Sequence, residues 1–200
     1  MERCSWPGED PEYIRYHDED WGVPVTNDKE LFAKLILDGA QAGLSWITIL
    51  KKRPAYYAAF DGLDPDRMAH YDDKKIAQLL QDTGIVRNRL KIEASVTNAR
   101  AFLELRERGT DFSAYLWQFV DYRPKWNAYH EKTDVPAFTA ESDAMSKSLR
   151  RDGFKFVGST ICYAFMQAVG MVQDHMTTCF RYEELRAQDA AKDWSQVFNR

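Results

Sequence analysis

The sequence predicts an all-α protein, on three observations. Apolar residues recur at three- and four-residue spacing through nearly every segment. Helix starts are marked by Asn27, Asp64 and Ser142, with Pro65 directly behind one of them. The one run with a strand-like composition, "WITIL" (46–50), has no second run to pair with, so it is assigned to a buried helix.

The elements follow in order. "NDKELFAKLILDGAQAG" opens with Asn27 as N-cap and Glu30 reaching back, then sets Leu31, Phe32, Leu35 and Ile36 on one face. "RPAYYAAF" reads as a separate helix with Pro54 in its first turn, and "LDPDRMA" repeats the device with Asp64 and Pro65. "DDKKIAQLLQD" carries Ile76, Leu79 and Leu80 as its apolar stripe. The longest helix, "RNRLKIEASVTNARAFLELRERG", keeps Ile92, Val96, Ala99 and Leu103 in register and stops at Gly109. Between Asp121 and Ala140 the chain turns irregular around Pro124 and Pro136, which predicts a long connection between two lobes. "SDAMSKSLRRDG", capped by Ser142, and "STICYAFMQAVG" follow as helices. A single helical domain of two lobes is expected over residues 1–182, and residues 183–200 read as a polar tail, an exposed helix or partly frayed.

Composition narrows the function classes. With 44% apolar and 29% charged residues, the chain is an ordinary globular protein. No apolar run approaches a bilayer-spanning length and no signal-peptide pattern opens the sequence, so no membrane partner is expected. Three cysteines without framework spacing point to a reducing cytoplasm. A formal charge of −4 gives no global pull toward nucleic acid. Basic residues nevertheless gather at "KKR" (51–53), "RNRLK" (87–91) and "KSLRRDGFKF" (147–156), which permit an acidic partner without requiring one.

Two motifs carry chemistry. In "DHMTTC" (174–179), a helical reading stacks His175 and Cys179 on one face, their Cβ atoms about 5–6 Å apart. That suits two ligands of a zinc ion, and a tetrahedral site then asks for another Cys/His pair. Cys4 and His17 supply one, whereas His70, His130 and Cys162 sit in unsuitable surroundings. Spacing alone leaves two alternatives open, unrelated residues and a Cys4–Cys179 disulfide. The second motif is "GFKFVG" (153–158), where Gly153 can end one helix and Gly158 begin the next. Backbone N–H groups at such a turn, reinforced by Lys155 and Arg151, can seat a phosphate without reading sequence. An ordinary helix corner is the competing reading.

"GFKFVGSTICYAFMQA" with "VQDH" resembles the helix-hairpin-helix of DNA glycosylases. "RCSW", "YIRYHDEDWGVP" and "QAGLSWITILKKR" are similar, in order, to signature segments of the 3-methyladenine DNA glycosylase I family, and the likeness runs to about Cys179. It implies a helix-hairpin-helix glycosylase fold whose chain ends are joined by one structural zinc ion on Cys4, His17, His175 and Cys179. It further implies that Tyr16 and Trp46 sandwich an extruded base, with Trp6 and Tyr13 lining the pocket; Trp21 in "DEDWG", taken by itself, reads as core. Gly43 would allow close approach to double-stranded DNA carrying alkylated bases, and Leu44 would fill the gap the base leaves. The implied reaction is hydrolytic release of 3-methyladenine by a monomeric, monofunctional enzyme that leaves the strand intact, since no lysine takes the position of a Schiff-base nucleophile.

Two positions depart from the family pattern. Asp38, in "LDG", stands where the pattern has glutamate, one methylene longer, so reaching a base edge would need a shift of about an ångström or a bridging water. Gln173 replaces the aspartate of a "VD" pair, and Asp174, one place on, is expected to cap the helix bearing the zinc ligands. Loss of the "VD" aspartate agrees with a monofunctional enzyme acting on an already labile bond, whereas Asp38 suggests the alternative of a catalytically impaired protein that only binds alkylated DNA.

Overall fold

The computed structural model describes residues 2–198. The N-terminal segment forms α1 (Pro11–Arg15), capped by the Asp10 carboxylate, and runs directly into a wider π-turn over Tyr16–Asp20. Next come α2 (Asp28–Gln41), α3 (Trp46–Ala59), α4 (Pro65–Met68), α5 (Asp73–Leu79), α6 (Arg89–Glu107) and α7 (Phe112–Trp117). A two-residue strand β1 (Lys125–Trp126) precedes α8 (Ala140–Arg151) and α9 (Ser159–Ala168), then β2 (Val172–Gln173), α10 (Phe180–Ala190) and α11 (Trp194–Val197).

The centre is α2, packed against α3, α6 and α9. Its expected face, Leu31, Phe32, Leu35 and Ile36, is fully buried, each side chain contributing about 1.5–3 kcal/mol of transfer free energy. Helix α6 buries Ile92, Val96 and Ala99 against it, with Leu103 only partly covered. The expected starts at Asn27 and Asp64 are N-caps whose side chains accept from backbone N–H groups, and Gly109 takes a φ of +76° just past α6.

Four expectations are corrected. Pro54 does not open a helix: it lies inside α3. The lost N–H bond and ring crowding cost about 3 kcal/mol, but Ile49, Leu50 and Tyr56 on either side are buried and hold the rod together. Ser142 is not the cap of α8; Thr139 is, and Ser142 is the residue that reaches back to it. The fold is mostly helical and not purely so, because β1 and β2 pair in parallel, Lys125 with Val172 and Trp126 with Gln173. That ladder draws 172–173 into extended backbone, so "DHMTTC" is a turn, and Cys179 is the N-cap residue of α10.

The chain past Tyr182 stays helical to Ala190, and Trp194 then stacks on the buried Trp117 at 5.2 Å between ring centroids.

Candidate active site

A cavity of about 320 Å³ opens between the N-terminal segment, α2, α3 and α9, at the small end of the range for ligand pockets. Its walls include Trp6, Tyr13, Tyr16 and Trp46, the aromatics expected there. Trp21, expected as core, lines it too and is only partly buried. The π-turn explains how one short segment serves two purposes. Its extra residue per turn, marked by the Trp21 N–H donating to the Tyr16 carbonyl at 2.9 Å, lets Tyr16 face the cavity while His17 faces away from it. Arg53 on α3 pairs with Asp20 at 2.8 Å and fixes that turn against the helix that carries Trp46.

Tyr16 and Trp46 are 5.4 Å apart between centroids and tilted by 45°. A base held between two rings needs about 7 Å, twice the contact distance of roughly 3.5 Å. In this conformation the two rings touch one another. Burial, with Asp38 close by, pushes the Tyr16 phenol well above its ordinary value and keeps it neutral.

Asp38 stands at the cavity with 1% of its surface exposed, because the side chain one turn earlier on α2 covers it. That side chain is Lys34, whose ammonium pairs with Asp38 Oδ1 and lies 4.0 Å from the Trp46 ring centroid. Asp38 Oδ2 and Trp46 Nε1 are buried with no partner among the described residues, one acceptor and one donor on residues that line the same cavity. Burial pushes the Asp38 carboxyl up and the Lys34 ammonium down, and each charge partly offsets the effect on the other. Lys34 lacks a sequence signature, since a lysine in "LFAKLIL" reads as the solvated side of a helix.

The surface elements share one support. From α6, the Lys91 ammonium donates to the Ala40 carbonyl at 2.8 Å and to that of Ala42 at 2.6 Å, holding the end of α2 just before Gly43 and Leu44. Two turns on, Asn98 donates to the Lys155 carbonyl at 3.0 Å and accepts from its N–H at 2.7 Å. Lys91 and Asn98 lie on one face of α6, so "QAGLSW" and the hairpin are presented together, and Gly39 meets Phe156 between them. Leu44 is 41% exposed, and Gly43 has a φ of +77° with open space around its α-carbon. Gly153 (φ +92°) follows α8 and Gly158 is the N-cap residue of α9, as expected. The Lys155 N–H, however, is committed inward to Asn98, which narrows the expected row of free donors to those beside Gly158.

Behind the Tyr16 wall, Cys4, His17, His175 and Cys179 are buried with their ligand atoms within 4.8 Å of one another. Cys179 Sγ is 3.6 Å from His17 Nε2 and 3.6 Å from His175 Nδ1, and Cys4 Sγ is 3.6 Å from that same Nδ1. Bonds of about 2.0–2.3 Å to a tetrahedral centre give ligand separations of about 3.5 Å. The rings are oriented from behind: His17 Nδ1 lies 2.7 Å from the Asp18 carboxylate, and His175 Nε2 is 3.1 Å from the Trp21 carbonyl, leaving the other nitrogen of each facing inward. Cys179 is pushed toward thiolate, because the Cys4 thiol and both rings face it. The cysteines are free, which removes the disulfide alternative. Of the residues set aside, Cys162 is buried in α9 and His130 contacts Thr177, both outside the cluster. Asp174 caps nothing; it accepts from Tyr163, Gln167 and Asn127 and braces the wall of the cavity.

An aromatic cavity floored by a carboxylate, beside a helical hairpin and a protruding leucine held by one helix, defines a DNA glycosylase. Comparison with known proteins agrees. A model of the methyladenine glycosylase family matches residues 6–182. The chain is 49% identical to DNA-3-methyladenine glycosylase 1 of Escherichia coli over 91% of its length and 97% of that protein. It is 46% identical to the DNA-3-methyladenine glycosylase of Haemophilus influenzae, over 88% and 96% of the two chains. A crystal structure of 3-methyladenine DNA glycosylase I superimposes with a TM-score of 0.89 at 50% identity, covering 90% of this chain and 98% of that one. The Staphylococcus aureus enzyme, solved for its recognition of 3-methyladenine, gives 0.87 at 36% identity over 90% and 96%. The chain belongs to the methyladenine glycosylase family.

Proposed function

We infer that this protein removes 3-methyladenine from alkylated double-stranded DNA by hydrolysis of the N-glycosidic bond. The observation that carries the reading is the pairing, in one cavity, of aromatic faces with a buried carboxylate that has one oxygen unpartnered. Adenine methylated at ring nitrogen 3 is a cation while attached to the sugar. Aromatic faces attract such a charge, and a carboxylate accepts hydrogen bonds from the base edge. As the bond breaks, its electron pair returns to the ring and neutralises it. Water adds to the sugar carbon and releases a proton, so the products are an abasic site and neutral 3-methyladenine.

Tyr16 and Trp46 are assigned to the faces of the base, Trp6 and Tyr13 to its edge, and Asp38 to its polar rim. Leu44 takes the space vacated in the duplex, Gly43 lets the backbone approach, and a phosphate is held by the Lys155 ammonium and the backbone N–H groups beside Gly158, on a turn that Gly153 shapes. The Cys4, His17, His175 and Cys179 cluster fits one zinc ion; with all four positions taken by protein, the ion would brace the scaffold and stay out of the chemistry. We place the working unit in residues 1–182, acting as a monomer in the cytoplasm; no helix among the described residues is long and apolar enough to cross a membrane.

The test is incubation of the purified protein with methylated duplex DNA and chromatography of the released bases. Release of 3-methyladenine with the strand intact is expected. Binding to an abasic-site analogue without release would favour the damage-binding reading, to which the covering of Asp38 lends support. Because Lys34 places an amine in the cavity, borohydride is added in parallel; a trapped covalent adduct would overturn the monofunctional assignment.

A further inference from the structure

The two groups best suited to a cationic base, the Trp46 face and the Asp38 carboxylate, already hold a cation. It is the ammonium of Lys34, 4.0 Å from the Trp46 centroid and paired with Asp38 Oδ1. Lys34 keeps 17% of its side-chain surface open and Asp38 only 1%, so the lysine lies between the carboxylate and the cavity. Both line that cavity, and their spacing of four residues on α2 puts one directly above the other.

We propose that Lys34 is an internal competitor for the base site: its ammonium occupies the cation position of the unliganded pocket and swings aside when a methylated base enters. The inference rests on the reading of this cavity as the 3-methyladenine pocket. Lys34 has the means to move, since four rotatable bonds carry its charge and part of it is already open to the cavity. Asp38, on a shorter side chain with 1% of its surface exposed, has far less freedom to move.

The energetic consequence is asymmetric. Any base that enters must break the contacts of the ammonium with Trp46 and Asp38. A cationic base re-forms both with its own charge and edge donors. A neutral adenine re-forms neither well, so ordinary bases are denied residence while the damaged one binds at a moderated affinity. Lys34 therefore acts on specificity through occupancy, without touching the bond that breaks. It also keeps the Asp38 charge compensated in the empty pocket, where an unpaired buried carboxylate would be destabilising.

The test compares the wild type with Lys34→Gln, which keeps an amide donor for Asp38 but has no charge, and Lys34→Met, which has neither. On methylated duplex DNA, KM for 3-methyladenine release is expected to fall about fivefold or more in both variants, the equivalent of one cation–π contact. The single-turnover rate at saturation should be no lower than in the wild type. An unchanged or higher KM in a folded variant overturns the inference while leaving the glycosylase reading intact. A second measurement needs no variant. The Lys34 ammonium lies 4.0 Å from the Trp46 ring centroid, so the proton resonance of the adjoining ε-methylene should be shifted upfield in the free protein and return to the ordinary position on saturation with 3,9-dimethyladeninium, in which the substituted ring nitrogen 9 preserves the positive charge of the damaged base. If the Trp46 indole signal reports binding while the Lys34 shift persists, the lysine is not displaced and the proposal fails. If 3-methyladenine neither binds nor is released by the wild type, the functional reading falls, and the inference with it.

Discussion

Asn98 holds Lys155 by both of its backbone polar groups, accepting from the N–H at 2.7 Å and donating to the carbonyl at 3.0 Å. One buried amide on α6 thus sets the hairpin geometry. Asn98→Ala would leave two backbone groups unmatched and is expected to cost about 1–3 kcal/mol in denaturant unfolding. KM for methylated duplex should rise while release at saturating DNA stays near wild type. Equal unfolding midpoints would show that the hairpin holds its shape without Asn98.

Leu44 is 41% exposed, so the DNA-contacting role proposed for it can be tested apart from the fold. Leu44→Ala should shift stability by less than about 0.5 kcal/mol. On duplex DNA it should lower kcat/KM by roughly tenfold or more, because nothing then offsets the unstacking of the extruded base. Single-stranded methylated DNA should show a much smaller difference. Equal losses on both substrates would remove the assignment.

Gly170, at the end of α9, has a φ of +71°, and a β-carbon there would sit 2.6 Å from both the Gly22 carbonyl oxygen and the Pro24 nitrogen. Those contacts are backbone and cannot give way. Gly170→Ala is expected to cost at least about 2 kcal/mol, seen as a lower Tm, and to loosen the segment that places Trp21.

If the Cys/His cluster holds zinc as proposed, Cys179→Ala should abolish zinc binding and lower Tm. Closing a loop of this length restricts the unfolded chain by an amount on the order of 4 kcal/mol if the ion behaves as a cross-link. Prolonged chelation of the wild type should reproduce the loss. Protein that remains folded should still release 3-methyladenine. Normal metal content in the variant would show the ligand set to be wrong.

Much of this was readable from sequence where local chemistry decides the outcome. Caps at Asn27 and Asp64, the stop at Gly109 and the glycines of the hairpin are set by hydrogen bonds within a few residues, and they stand as expected. Pro54 misled because the packing of its neighbours outweighs its own preference. Thr139 and Ser142 are both sound caps three residues apart, and local chemistry alone does not choose between them. "DHMTTC" misled for a different reason: its conformation depends on a ladder with residues nearly fifty positions away, and His175 and Cys179 converge through a turn instead of a helical face. Lys34, Lys91 and Asn98 were invisible as site residues because a polar side chain on a helix announces neither its burial nor what it will touch.

The backbone bond from the Phe180 N–H to the Glu2 carbonyl, 3.0 Å long, and the clustering of Cys4 with Cys179 bear on biosynthesis. The wall that carries Trp6 and Tyr16 is synthesised well over a hundred residues before the partners that lock it, near residue 180. A nascent polypeptide that has not yet reached them therefore has no finished pocket, and the capacity to pull a nucleotide out of intact DNA waits for their arrival.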